Sequence, residues 1–233
     1  MNYNIDDIKV YLNSFQLNEI GEFTDRDVED YVWRMNEKNV PDFSYDTGIS
    51  KFVIIPNHLD YVIKIPFTGS YQRNFNYSYE SIEDIDDYSF ISFCNSGTNT
   101  PYDYIAREIE TYNYYKNTEE NFLNFLLPSE KIGECCKINI YIQPKAEVYC
   151  DSCVTPTQKS INIINTMKEQ EEFFYYSNLP DDWIALCLET LNGDKNKLCK
   201  LLDFFDEFND LHTANIGYYN GHPVIIDYAG FHD

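Results

Sequence analysis

Three short stretches of this chain carry the side chains from which a charged, polar site could be built. The first is Val62-Ile63-Lys64, where a lysine follows an apolar run. The second is Arg107-Glu108-Ile109-Glu110. The third is Asn209-Asp210-Leu211-His212-Thr213-Ala214-Asn215, followed by Ile225-Ile226-Asp227-Tyr228-Ala229-Gly230. Asp210 and Asn215 are 5 residues apart, and Asp227 lies 12 beyond Asn215. A lysine inside an apolar strand needs an anion, because an unpaired buried charge is costly; Glu108 or Glu110 could supply one. Asp210, Asn215 and Asp227 bring hard oxygen donors. Each residue alone has a plainer reading. Lys64 could reach back to water, Asp210 could end a helix, and Asp227 could be a turn residue after a strand. Their order along the chain raises them above those readings.

The elements that must hold these residues follow from periodicity. Val28, Tyr31, Val32 and Met35 recur at helical spacing behind Thr24 and Asp27, so residues 24–37 are predicted to form a capped amphipathic helix. An earlier helix is expected over 5–15. From Gly48 the period becomes that of strands. Phe52-Val53-Ile54-Ile55 and Tyr61-Val62-Ile63-Lys64-Ile65 flank a turn at Pro56-Asn57-His58-Leu59-Asp60 and predict a hairpin. Residues 68–100, rich in Tyr, Ser, Asn and Phe, read as an inserted flap with one strand at 88–93. Its acids, Glu80, Glu83, Asp84, Asp86 and Asp87, read as a solvated face. Its tyrosines over 71–88 read as flap packing rather than a base-stacking platform, since Arg73 is the basic residue among them.

Helices are expected over 103–117 and briefly over 122–126, then a hairpin with strands 131–135 and 138–142. After Thr155-Pro156 the pattern is helical. One helix has Pro180 in its first turn and Trp183, Leu186 and Cys187 on one face. The next is capped by Asp194 and carries Leu198, Leu201, Leu202 and Phe205. A last hairpin turns at Asn220-Gly221. Strands with one helix, then mostly helices, predict an α+β chain in two lobes.

Asp210, His212 and Asn215 in an Asp-Leu-His-x-x-Asn frame, Asp227 after a short hairpin, and Lys64 ahead of a Glu-bearing helix resemble the protein kinase-like superfamily. The frame is more similar to the aminoglycoside and choline phosphotransferase branch, and to small kinase-like proteins of phages and low-GC bacteria. The likeness runs over residues 45–233. It implies a bilobal protein kinase-like fold, with a small antiparallel-sheet N-lobe and a truncated, mostly helical C-lobe. The expected divisions are a helical extension over 1–40, an N-lobe over 41–146 with the flap inside it, and a C-lobe over 147–233.

The resemblance also implies roles, with ATP and Mg²⁺ as cofactors. Lys64 would hold the α/β-phosphates. Glu108 would be its counter-ion in preference to Glu110, because Ile105, Ile109 and Tyr112 share its helix face. Asn215 and Asp227 would bind Mg²⁺, and Asp210 would orient or deprotonate an acceptor hydroxyl. Gly48-Ile49-Ser50-Lys51 would be a shortened phosphate loop, with Ser50 and backbone N–H groups near the β-phosphate. Val62 and the connector Gln143-Pro144-Lys145-Ala146 would enclose the base. His212 is expected to brace its loop.

The sequence departs from the kinase pattern at several points. Phe208-Asn209 precede Asp210 where protein kinases carry His-Arg, Gly48 stands alone in the phosphate loop, and Ala229 takes a glycine's place before Gly230. The chain ends three residues after Gly230, so a conventionally docked peptide acceptor is not expected. The acceptor would be small, or be walled by another chain, or be a protein docking on the flap. AMP transfer is a close variant. The alternative class is a non-catalytic binder: a nucleotide-binding pseudokinase, or an acidic decoy or inhibitor.

Composition bounds the partners. The 233 residues include 17 Lys+Arg and 39 Asp+Glu, a formal charge of −22. That argues against nucleic acid or an anionic membrane surface as a direct partner and favours a neutral or cationic acceptor. With 43% hydrophobic residues, 21 Tyr and 16 Phe, the chain is no disordered acidic tail. The acidic start Met1-Asn2-Tyr3-Asn4-Ile5-Asp6-Asp7 is unlike a signal peptide, and no apolar run reaches the roughly 18 residues of a membrane span. A cytoplasmic protein of a bacterium or a phage-infected host cell is expected. Seven cysteines, an odd number, fit a reducing compartment. Cys135-Cys136 with Cys150-x-x-Cys153 leave two readings open, a four-cysteine zinc site or reduced, partly buried thiols. The second is favoured because adjacent strand residues point to opposite faces.

Overall fold

The computed structural model describes residues 3–48, 50–73, 88–92, 103–116, 122–170, 179–208 and 211–228. The architecture is α+β, and by its internal contacts the chain divides into two units. Unit 1 is Met1–Arg107 with Ser129–Gln143; unit 2 is Glu108–Pro128 with Pro144–Asp233. No helix among the described residues is long and apolar enough to cross a membrane.

In unit 1, α1 (Ile5–Leu12) begins where the Asn4 side chain accepts the Asp6 N–H at 3.1 Å, and it ends three residues short of the expected 15. α2 (Val28–Glu37) follows a 3-10 turn over Asp25–Asp27. The expected capping box is present: the Thr24 N–H donates to the Asp27 carboxylate at 2.8 Å. Five strands form the sheet: β1 (Phe43–Thr47), β2 (Lys51–Pro56), β3 (Tyr61–Pro66), β6 (Glu130–Cys135) and β7 (Ile138–Pro144), in the order β1-β2-β3-β7-β6. The strand β1 precedes the point where strand periodicity begins in the sequence. It was hidden there because Ser44, Tyr45, Asp46 and Thr47 are all exposed, so no apolar alternation marks it.

One face of this sheet is apolar. Phe52 and Ile54 from β2, Ile63 and Ile65 from β3, and Ile138, Ile140 and Ile142 from β7 share a core with Ile8 and Tyr11 of α1 and Tyr31 and Met35 of α2. Burying such side chains is worth about 1.5–3 kcal/mol each, and it joins the two helices to the sheet. Also in unit 1, β4 (Gly69–Arg73) pairs antiparallel with β5 (Tyr88–Ser92). The expected strand near 88–93 therefore has a partner that no periodicity announced. The acids at 80–87 and the rest of the flap lie outside the described residues.

The unit boundary falls within α3 (Tyr104–Tyr115). Unit 2 holds α4 (Gln158–Glu169), α5 (Asp181–Thr190) and α6 (Lys195–Phe205), with Pro180 at the cap position just before α5 rather than in its first turn. Asp194 caps α6 by accepting the Lys197 N–H at 3.1 Å. Trp183, Leu186, Cys187, Leu198, Leu201, Leu202 and Phe205 are all buried, as their helical spacing requires. β8 (Glu147–Val148), β9 (Ile216–Tyr219) and β10 (His222–Ile225) form a second sheet in the order β10-β9-β8. Asn220 at φ 52° and Gly221 at φ 78° supply the left-handed pair that a tight hairpin needs.

Candidate functional site

In unit 1 the alternation of side chains along the strands decides what the second face of the sheet presents. Because Ile63 and Ile65 point into the apolar core, Val62 and Lys64 point the other way. By the same parity Asn139, Tyr141 and Gln143 stand on that second face beside them, since β3 and β7 are neighbours. Lys64 is 2% exposed and Gln143 fully buried, while Val62 is half-buried. The second face is thus polar and buried at once.

Asp103 is completely buried and explains part of that polarity. One of its carboxylate oxygens accepts the Ala106 N–H at 3.1 Å, capping α3. The other accepts from the Asn139 carboxamide at 3.0 Å and from the Tyr141 hydroxyl at 2.6 Å. Strand β7 therefore fixes where α3 starts. Sequence reading missed this triad, because Asp103, Asn139 and Tyr141 meet only through the sheet register. The one available signal was an aspartate directly before a helical pattern.

Backbone hydrogen bonds hold both ends of the segment that joins β1 to β2. The Gly48 N–H donates to the Lys51 carbonyl at 3.0 Å, and the Ser50 carbonyl accepts the Phe67 N–H at 2.9 Å. Lys51 belongs to the strand rather than to the loop. In the expected connector, Gln143 and Pro144 are the last residues of β7, and half-buried Lys145 leads with Ala146 into β8.

In unit 2 the hairpin explains the spacing of Asn215 and Asp227. Ile216 pairs with Ile225, so the two residues stand just outside the same end of the β9–β10 ladder. The Asn215 carbonyl accepts the Ile226 N–H at 2.7 Å and the Asp227 N–H at 3.4 Å. Asn215 is buried and Asp227 half-buried. The Asn215 N–H is held by the His212 carbonyl at 2.9 Å, and His212 Nδ1 accepts the Ala214 N–H at 3.2 Å. His212 is exposed and braces the loop, as expected. Asp210, Ala229 and Gly230 lie outside the described residues, as does Ile49.

Tyr228 is buried near Glu108 and Asp227. Burial pushes its hydroxyl pKa far up, and the charges of Glu108, Tyr112 and Asp227 add to the rise. It therefore stays a neutral donor, bonded to the Leu127 carbonyl at 3.3 Å. Glu108 is fully buried and Glu110 exposed, the partition expected from their helix faces. Tyr228 was visible in the sequence only as the residue after Asp227. Beside it lies a cavity of about 280 Å³ lined by Glu110, Thr111, Tyr114, Tyr115, Glu207 and Phe208. The Tyr115 hydroxyl donates to the Glu207 carboxylate there.

Among the described residues no three His, Cys, Asp or Glu side chains are grouped to hold a metal ion. Cys135 is half-buried, and burial followed by the adjacent Cys136 raises its thiol pKa to about 11. Cys136 lies at φ 51° in the turn after β6 rather than in the strand, while Cys150 and Cys153 are exposed. Compared with known proteins, the chain matches no family model, no curated protein and no solved structure.

Proposed function

We propose that this chain is a kinase-like, Mg²⁺-dependent phosphotransferase that binds ATP or a related nucleotide. The observation that carries the reading is the base of the β9–β10 hairpin. Two residues with oxygen-bearing side chains, 12 apart in sequence, are joined at their backbones through the Asn215 carbonyl. Hard oxygens of this kind suit Mg²⁺. Asn215 and Asp227 would hold the ion, which supplies charge neutralisation on phosphate oxygens. Lys64, buried on the polar face of its sheet, would bind the α/β-phosphates. Val62, Ser50, Gly48, Gln143 and Lys145 would contact the nucleotide from the strands and turns described above. Asp210 would orient the acceptor hydroxyl or take its proton. The carboxylates of Glu110 and Glu207 at the cavity beside Tyr228 favour a neutral or cationic acceptor, as does the charge of −22.

Thermal unfolding with Mg-ATP, Mg-GTP and ATP plus chelator, beside Asp227→Asn, tests the reading. A ligand at 100 times its dissociation constant adds about 2.7 kcal/mol, a rise of about 5–11 °C for this length. A metal-dependent rise that disappears in Asp227→Asn is expected. No rise with any nucleotide at millimolar concentration would sink the proposal. The acidity of the chain favours a second reading, a non-catalytic binder. In that case Asp210→Asn keeps both nucleotide binding and biological effect, whereas in a catalyst it keeps only the binding. Identification of the transferred group separates phosphate from AMP.

A further inference from the structure

Strand β2 starts at Lys51 and ends at Pro56, so the turn 57–60 stands at the opposite end of the β2–β3 hairpin from the segment that joins β1 to β2. There α1 and the turn enclose a cavity of about 320 Å³, with walls that include Tyr3, Asp7, His58, Leu59, Asp60 and Tyr61. That is the small end of the range of ligand pockets, roughly 300–1,000 Å³. Tyr61 carries the first sign of an occupant. It is 6% exposed and its ring belongs to the core that α1 shares with the sheet, yet its buried hydroxyl has no hydrogen-bond partner among the described residues. Buried polar groups are rarely left so, because an unpaired one is costly. Burial, then the charge of Asp7, raises the pKa of this hydroxyl. It therefore keeps its proton and lies within the field of a carboxylate that lines the same cavity.

The carboxylates of the walls are the second sign. Asp7 is half-buried and Asp60 exposed. Among the described residues no basic side chain pairs with either, and Lys9 of α1 is taken by Asp6 at 2.8 Å. The start of α1 brings a partial positive charge of about half an elementary charge, less than the two negative charges beside it. The cavity thus favours a cation. Among the described residues no three His, Cys, Asp or Glu side chains are grouped to hold a metal ion. An organic cation with N–H donors suits the walls better, since the Tyr61 oxygen can accept from one N–H and the carboxylates from others. Leu59 gives an alkyl stem an apolar surface, and the Tyr3 and Tyr61 rings offer faces to the charged head.

We propose that this cavity binds a small primary alkylammonium ion, whose N–H groups bond the Tyr61 hydroxyl oxygen and the Asp7 and Asp60 carboxylates. The proposal does not depend on the nucleotide reading given above. The test is an NMR titration of the ¹⁵N-labelled full chain with butylammonium, tetramethylammonium and sodium chlorides at equal ionic strength, in the natural sequence, Tyr61→Phe and Asp60→Asn. Butylammonium is expected to shift the amide signals of residues 59–61 saturably at millimolar concentration, while tetramethylammonium and sodium leave them in place. Tyr61→Phe is expected to weaken butylammonium about tenfold or more, and Asp60→Asn about two- to fivefold. Without ligand, Tyr61→Phe is expected to melt at or above the Tm of the natural chain, since it removes an unpaired polar group and keeps the ring. A lower Tm would show that the hydroxyl already has a partner such as an ordered water, and would overturn the proposal. Equal shifts with all three cations would mark an unselective effect of charge and overturn it too. So would unchanged binding in Tyr61→Phe, or the absence of any saturable shift.

Discussion

The two units hold their candidate site residues by different means. In unit 1 the means is side-chain parity: Val62, Lys64 and Gln143 face one way because their strand neighbours are locked into an isoleucine-rich core. A slip of one residue would exchange the faces and send the lysine into the core. In unit 2 the means is the backbone at a hairpin end, where one carbonyl accepts two N–H groups. Parity is protected by every apolar contact of the strand, so it tolerates local damage. A hairpin base depends on a few close approaches, and one misplaced atom reaches it.

The largest effect that separates the two is core truncation. Phe205 is fully buried and its ring lies 5.6 Å from that of Trp183. Phe205→Ala is expected to cost about 3–5 kcal/mol, measured in urea by the emission of Trp183. Phe52→Ala removes the same ring from the other core. Of the two tryptophans, Trp183 is in unit 2 and Trp33, 60% exposed, in unit 1. Trp183 emission therefore compares how each truncation acts on unit 2. A loss below about 1 kcal/mol for Phe205→Ala would contradict the packing described.

Next in size is the Asp103 triad. Asp103→Ala removes a helix cap and the carboxylate that accepts from Asn139 and Tyr141, leaving Asn139 its 3.0 Å hydrogen bond to the Tyr141 hydroxyl, an expected loss of about 2–4 kcal/mol by urea unfolding. Asp103→Asn is also expected to destabilise, since whichever way the carboxamide turns, its NH₂ group replaces an oxygen that accepts from a buried donor. If Asp103→Asn is neutral, the triad does not fix α3.

How much of this was readable in advance follows the same division. Local patterns were: the Thr24–Asp27 box, the Asn220-Gly221 turn, the Asp194 cap and the Glu108 face all rest on residues a few positions apart. The 12-residue interval from Asn215 to Asp227 was legible because a two-residue turn and a four-residue ladder fix it. Hidden features needed register between distant segments. β1 has no alternation, β4 gains its partner from residues 88–92, and Asp103 finds Asn139 36 positions away. Lys51 read as part of a loop because the strand before it was not apparent.

Gly217 sharpens the contrast from the unit 2 side. A Cβ there would stand 2.3 Å from the Glu147 carbonyl oxygen and 2.9 Å from Ile226 Cδ1. Glu147 is on the neighbouring strand β8, and Ile226 is one of the two residues whose backbone N–H donates to the Asn215 carbonyl. Gly217→Ala is expected to cost about 1–3 kcal/mol and also to reduce the proposed Mg-nucleotide response, because the strain falls next to the hairpin base. An alanine variant as stable as the natural chain would mean that β8 moves freely away from β9.

The smallest effects are electrostatic, and both bear on unit 2. The Tyr149 hydroxyl donates to both Asp182 oxygens, at 2.8 and 3.0 Å. Burial, then this hydrogen bond and the Asp182 charge, raise its pKa from 10.0 to about 12. The folded state therefore keeps a proton that the unfolded state loses near pH 10, so stability present below pH 10 declines as pH rises toward 12. Tyr149→Phe should flatten that part of the alkaline limb. Glu189 gives the opposite sign. Burial alone would raise its pKa, but hydrogen bonds from Thr157, at 2.7 Å, and Ser160 outweigh it and lower the value below 4.5. The folded state then releases a proton that the unfolded state still holds, so this contribution is present above pH 4.5 and is lost as pH falls below it. Glu189→Gln should remove that acid slope without touching the alkaline one, with urea midpoints across pH as the measurement. A shared change in both limbs would mean that the two contacts are not independent, since Asp182 and Glu189 stand at opposite ends of α5.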